Sequence, residues 1–294
     1  MYNVVMNKIS NSKKAEIITC LVEGNSIRAT SRMTGAAKNT IISLLVRLGT
    51  TCAAYQDQHM RNLHCKRIQC DEIWSFCYAK EKNLPPEKQD VLGYGDVWTW
   101  TAICADTKLV PSFMVGNRDY DTARDFVSDL ASRLANRVQL TTDGNKTYLW
   151  AVEEAFGPDI DYAMLRKIYG TSEEEERRYS PAQCIGTETV VIKGKPDLTK
   201  VSTSYVERAN LTMRMHMRRF TRLTNGFSKK IENLIAAVSL HFMYYNYCRP
   251  HKTLTKANKG YPTTPAMAAG ISARVWSVEE IIDLEIESNK KPND

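Results

Sequence analysis

Between Ile68 and Val115 three β-prone runs follow one another with no helix between them, and only afterwards do helical and β-prone signals alternate. Ile68–Tyr78 is aromatic and β-prone, Asn83–Gly95 is a Pro/Gly loop, and Val97–Ala105 and Lys108–Val115 read as strands joined in a hairpin at Asp106-Thr107. Asp121–Leu134 is an amphipathic helix by its spacing, Arg137–Thr142 a strand that ends at Asp143-Gly144, Lys146–Phe156 a helix and Ile160–Tyr169 a further strand. This order, β-β-β-α-β-α-β followed by another helix, predicts an α/β fold with a mixed sheet flanked by helices.

The flanking stretches are helical. Lys13–Glu23 carries Ile17, Ile18, Leu21 and Val22 on one face, Gly24-Asn25 stops it, and Ser26 is placed to cap Ile27–Met33. After Thr34-Gly35 comes a second apolar face, Ile41 to Leu48, closed by Gly49. Two short helices about a Gly-containing turn predict an N-terminal helix-turn-helix, with Arg28, Arg32, Lys38 and Arg47 as its positive charge. Beyond the sheet region, Glu173–Glu176 opens a polar segment to about Lys200, holding at most a short strand at Val190–Ile192. Helices then follow, from Ser202–Ser204 through Arg219 and over Ser228–Tyr247, and the Thr253–Asp294 tail has one helix near Val278–Ile286. The expected domains are 1–63, a helix-turn-helix DNA-binding domain, 64–250, a catalytic domain, and 251–294, a C-terminal tail.

Composition narrows the class. A chain of 294 residues that is 43% hydrophobic and 25% charged is ordinary globular protein, not a disordered chain, coiled coil or collagen-like fibre. No run of about 18 apolar residues suggests a membrane span, and no export signal opens the chain. With eight cysteines and no C-x-x-C pair, the reading is a reduced, cytoplasmic protein. Cys65 and Cys70 with His59 and His64 fit no zinc template. The net charge of +7 is modest, but its distribution is not: between Tyr205 and Lys230 lie seven basic residues and a single acid, Glu207.

Three acids sit where an acid is unwelcome. Asp71 interrupts the first strand, Asp143 ends the fourth, and Glu207 stands among arginines on a helix. Brought together, such carboxylates could hold two divalent cations about 3.5–4 Å apart for in-line phosphoryl displacement, and hard oxygen ligands suit Mg²⁺ or Mn²⁺. Strand alternation places Asp71 and the adjacent Glu72 on opposite faces, so one of them is expected at any one site. Glu207, Asn210, Arg214 and Arg218 fall on one ridge at helical spacing, with an amide and guanidiniums suited to phosphate oxygens. Trp98 and Trp100 read as core packing. On the residues alone, two other readings stay open: a metal-dependent nuclease that cuts without joining, and a non-enzymatic helix-turn-helix regulator.

Several segments resemble the transposases of the insertion sequence 1 family. They are Cys70–Phe76, Gly95–Trp100, Thr142-Asp143-Gly144, Tyr205–Thr212, Arg219–Lys230, His251–Leu254 and Thr264–Ala266. The resemblance runs from about Cys65 to the end. It implies a ribonuclease-H-like catalytic domain with a DDE triad, which by position is Asp71, Asp143 and Glu207. In many DDE enzymes a basic residue follows the glutamate by seven positions, and here that is Arg214. The resemblance further implies double-stranded DNA partners, the element's terminal inverted repeats bound by the helix-turn-helix and a target. Paired-end chemistry implies a homo-oligomer. The family's cysteine zinc motif ahead of the helix-turn-helix is the one departure.

Overall fold

The computed structural model describes residues 9–170, 184–221 and 224–288. Two compact units divide the chain, and neither is continuous in sequence. One takes in the chain up to His59, Ser75–Asp96 and the chain from Leu211 onward; the other is Met60–Trp74 with Val97–Asn210. Among the described residues no helix is long and apolar enough to cross a membrane.

The first unit is helical. α1 (Asn11–Val22) is capped by Ser10 and α2 (Ile27–Thr34) by Ser26, whose hydroxyls accept from the Lys13 and Ala29 amides. Gly35 ends α2 in the left-handed region, at φ 70°, where a side chain would be strained. α3 (Lys38–His59) starts three residues later. It does not stop at Gly49, as the sequence suggested, but runs ten residues further. The reason is packing against a later helix, α7 (Ile231–Met243): a Cβ at Gly49 would lie 2.3 Å from the Ala236 carbonyl oxygen. The glycine permits close approach and is not a stop. Ile17, Ile18, Ile41, Leu44, Leu45, Leu48 and Val238 are fully or almost fully buried in this unit. In the tail, α8 (Lys252–Ala257) and α9 (Pro265–Ala268) precede α10 (Val278–Ser288), so the sequence found one of three helices there. Glu285 of α10 pairs with Lys14 at 3.2 Å and Arg47 at 2.6 Å. Arg47 is thereby committed to an internal ion pair and leaves the free positive field of the α2–α3 region.

The second unit carries the sheet, in the order β3-β2-β1-β4-β5-β6. Its strands are β1 (Arg67–Cys77), β2 (Gly95–Cys104), β3 (Ser112–Gly116), β4 (Val138–Thr142), β5 (Ile160–Tyr169) and β6 (Cys184–Lys193). β1 pairs in parallel with β4 and β4 with β5, whereas β2–β3 and β5–β6 are antiparallel. This is the mixed sheet flanked by helices that the element order predicts. Trp100 of β2 packs against Phe126 of α4 (Tyr120–Arg133) and Tyr148 of α5 (Thr147–Phe156), at ring separations of 5.9 and 5.3 Å. β6 is a full edge strand where the sequence showed only Val190–Ile192. None of its residues is buried, so it carries no alternation that a sequence pattern could reveal. Glu173–Glu176 lies outside the described residues.

α6 (Ser204–His216) starts beside β1, where the buried Gln69 side chain accepts from the Tyr205 and Val206 amides at 2.8 and 3.1 Å. Two first-turn N–H groups, which have no partner within the helix, are satisfied this way. α6 ends at His216; Met217 is extended and Arg218 belongs to a separate 3₁₀ turn. The expected ridge through Arg218 is therefore cut, because one extended residue resets the helical phase.

Replacing Gly49 by alanine is expected to lower stability by about 2 kcal/mol through overpacking of α3 on α7. A fall in the urea midpoint with unchanged slope would show it.

Candidate metal site

The ladder between β1 and β4 runs from Arg67↔Gln139 to Cys70↔Thr142. Asp71 and Asp143 are the next residue on each chain, so register alone sets them side by side. Asp71 shares its face with Gln69 and therefore points toward α6, where Asn210 Nδ2 donates to Asp71 Oδ2 at 2.9 Å. Glu72 points to the opposite face, toward α5. Its Oε1 accepts from Asn145 Nδ2 at 3.2 Å and its Oε2 from Arg118 Nε at 3.3 Å.

Carboxylate oxygens of Asp71, Glu72 and Asp143 nevertheless lie within 4.8 Å of one another. Alternation holds, but the expectation that only one of Asp71 and Glu72 reaches the site does not. Asp143 lies past the end of β4, where no further ladder separates the two faces, and it meets both neighbours. Its own conformation is set locally, for the Asn145 amide donates to Asp143 Oδ1 at 3.0 Å. Asp143-Gly144 is thus a turn and an acid site at once.

Glu207 lies outside this tight group but lines the same cleft, which measures about 750 Å³ and also includes Arg118, Lys146, Arg166 and Lys167. Lys167 of β5 pairs with Glu207 at 2.6 Å, and the Thr203 hydroxyl donates to the same oxygen. Asn210, expected at DNA, is buried here with its amide on the Asp71 carboxylate. Arg214 is half-exposed on α6 and Arg218 is exposed; both belong to the first unit, as do the exposed Arg28, Arg32 and Lys38.

Electrostatics distinguish the acids. Burial, then the charges of Asp143 and Glu72, push Asp71 up to about 7. Glu72 is raised by burial and by Asp143, against the opposing effects of Tyr148, Arg118 and Asn145. Arg118 is Glu72's principal counter-charge; it reaches Asp143 only at 3.7 Å and rests over the Trp98 ring at 4.8 Å. Trp98 thus supports an arginine, while Trp100 fulfils the core role expected of both. Among the described residues Asp71 has no cation of its own.

Hard carboxylate oxygens in negative excess fit a divalent cation, which would relieve the repulsion that holds the Asp71 proton. The buried Asn210 Oδ1 has no hydrogen-bond partner among the described residues, on a side chain whose Nδ2 holds Asp71. The Cys65, Cys70, His59 and His64 set gives no metal group among the described residues. Sequence reasoning missed Arg118, Asn145, Lys167 and Thr203. Asn145 follows Asp143-Gly144 closely enough to have been a candidate; the others carry no local signal.

No protein-family model and no curated protein sequence matches the chain. Among solved structures, the piggyBac transposase in its synaptic complex with hairpin DNA aligns over 100% of this chain and 76% of its own. The TM-score is 0.41 and the identity 9%. The Mos1 strand transfer complex aligns over 83% of this chain and 78% of its own, with a TM-score of 0.24 and 10% identity.

The raised Asp71 gives a signed prediction. Between the unfolded value, about 4, and the folded value near 7, the folded metal-free protein holds the proton that the unfolded chain releases. Stability is therefore lost as pH rises through that window. In chelator, Asp71→Asn should gain on the parent from pH 4 to 7 and stay ahead above it, as read by urea unfolding. A variant less stable by the same amount at every pH would contradict this.

Proposed function

We propose that the chain is a DNA transposase of the insertion sequence 1 type, which cuts DNA at terminal inverted repeats and transfers the freed 3′-hydroxyl to target DNA. The observation that carries this reading is the cleft where Asp71, Asp143 and Glu207 occur with four cations, Arg118, Lys146, Arg166 and Lys167. Acids to hold metal and cations to hold phosphate, in one cleft, suit phosphodiester chemistry.

Asp71 and Asp143 offer the ligand oxygens, and Glu207 completes the DDE set. Asn210 fixes the Asp71 rotamer, so it is a positioning residue. Glu72, locked by Arg118 and Asn145, keeps negative potential behind the pair. Two Mg²⁺ or Mn²⁺ ions bound there would activate the attacking water or 3′-hydroxyl and stabilise the leaving oxygen. Lys167 neutralises Glu207 in the free protein and lies in the same cleft for a phosphate oxygen when DNA is bound.

In this reading residues 1–63 bind the DNA ends through Arg28, Arg32 and Lys38, residues 64–250 carry out the chemistry, and residues 251–294 form the tail. Arg214 and Arg218 contact the DNA backbone. Handling two ends together calls for a homo-oligomer, working in the cytoplasm at the nucleoid.

The test is a joining assay on labelled duplex DNA bearing the sequence that flanks this gene, with Mg²⁺, for the parent and Asp143→Asn. Metal-dependent joined products are expected from the parent, and none from the variant. Cleavage without joining would establish a nuclease instead, and specific binding without cleavage a regulator.

A further inference from the structure

We infer that a cationic groove on the first unit seats the phosphodiester backbone of duplex DNA, with Arg219 as its anchor and Lys229 as a second contact. The inference deepens the proposed function and rests on it. The groove encloses about 1020 Å³ between the Ser26–Ile42 segment on one side and Arg218, Arg219 and Thr224–Lys229 on the other. Among the described residues five cations line it, Arg28, Lys38, Arg218, Arg219 and Lys229, and no acid does. None of the five has an ion pair among the described residues. Elsewhere in this unit, Lys14 and Arg47 are committed to Glu285, and Arg274 to Glu280.

Arg219 is the decisive residue. Its Nε donates to Ser228 Oγ at 2.7 Å, and no carboxylate among the described residues joins it. Desolvation draws the guanidinium down to about 10, offset only by the Cys77 thiol. A desolvated guanidinium without an acid is destabilising on its own and is compensated when an anion docks against it. Its hydrogen-bond partner is itself anchored: the Tyr78 amide donates to the Ser228 carbonyl at 2.9 Å, and Phe227 packs on Phe76 at 4.8 Å, at the end of β1. The bond to Ser228 therefore orients the guanidinium before any ligand arrives.

The opposite wall is equally built. Ser26 caps α2, and Lys38 and Asn39 begin α3, where amide groups lack helical partners. Thr224 and Asn225 add small polar groups to the groove. Guanidiniums, amines and small donors without acids match phosphate and sugar oxygens, which carry most contacts to a duplex. An acidic protein would offer the same charge, but duplex DNA is also the substrate of the function proposed for the acid cleft.

The test measures binding of a short labelled duplex of arbitrary sequence by fluorescence anisotropy, using the full chain in EDTA over a range of salt. Lys38→Ala combined with Lys229→Ala alters only exposed side chains. It should weaken binding about tenfold and reduce the magnitude of the log K against log salt slope by about 2. Arg219→Gln should weaken binding at least as much, with Arg219→Lys restoring part of it; circular dichroism and urea unfolding check that each variant folds. Parent-like affinity and slope in the double variant would overturn the groove while leaving the cleft reading intact. A parent that binds no duplex at any salt would overturn the proposed function itself. Binding of poly-glutamate in preference to duplex would assign the groove to an acidic protein.

Discussion

The parallel ladder between β1 and β4 ends at Cys70↔Thr142, one residue short of Asp71 and Asp143. Where it ends determines which carboxylates meet. One pair more would return Asp143 to the sheet, commit its backbone to a neighbour and leave Asp71 and Glu72 on separate faces. As it is, Asp143 stands at the open end of the sheet between the two faces. Asp71 approaches it from the α6 side and Glu72 from the α5 side. Every other feature of the cleft is an adjustment to this crowding.

Crowding of acids is costly unless each charge is offset, and the structure offsets them unequally. Glu72 receives Arg118 and Asn145, and Glu207 receives Lys167 and Thr203. Among the described residues Asp71 receives only neutral donors, the Asn210 amide and the Glu72 backbone, and burial together with the neighbouring acids makes its proton hard to remove. A cation placed beside it would supply the charge it lacks. α6 is tied to this geometry through Gln69, which fixes the start of the helix two residues before Asp71 on the same face of β1. That anchor sets the height at which Asn210 reaches the carboxylate.

Much of this was legible in the sequence. Strands announced themselves through apolar and aromatic runs, and Asp71 and Asp143 were conspicuous because one interrupts such a run and the other ends one. What could not be read was whatever depends on a distant partner. Gly49 looks like a stop until Ala236 is seen against it, and Arg47 looks like a free cation until Glu285 arrives from the far end of the chain. β6 hid because an edge strand solvated on both faces shows no period. Glu72 was set aside by a correct rule, strand alternation, which says nothing about a residue standing beyond the end of the ladder. Asn210 and Arg218 were assigned to one ridge by a period that a single extended residue, Met217, breaks.

If the end of the β1–β4 ladder binds a divalent cation, as proposed, crystals grown with Mn²⁺ will show an anomalous difference peak between the carboxylates of Asp71 and Asp143, with Asn210 still bonded to Asp71, and Asp71→Asn crystals will lose it. Absence of any peak in that cleft, or a peak unchanged in the variant, would contradict it.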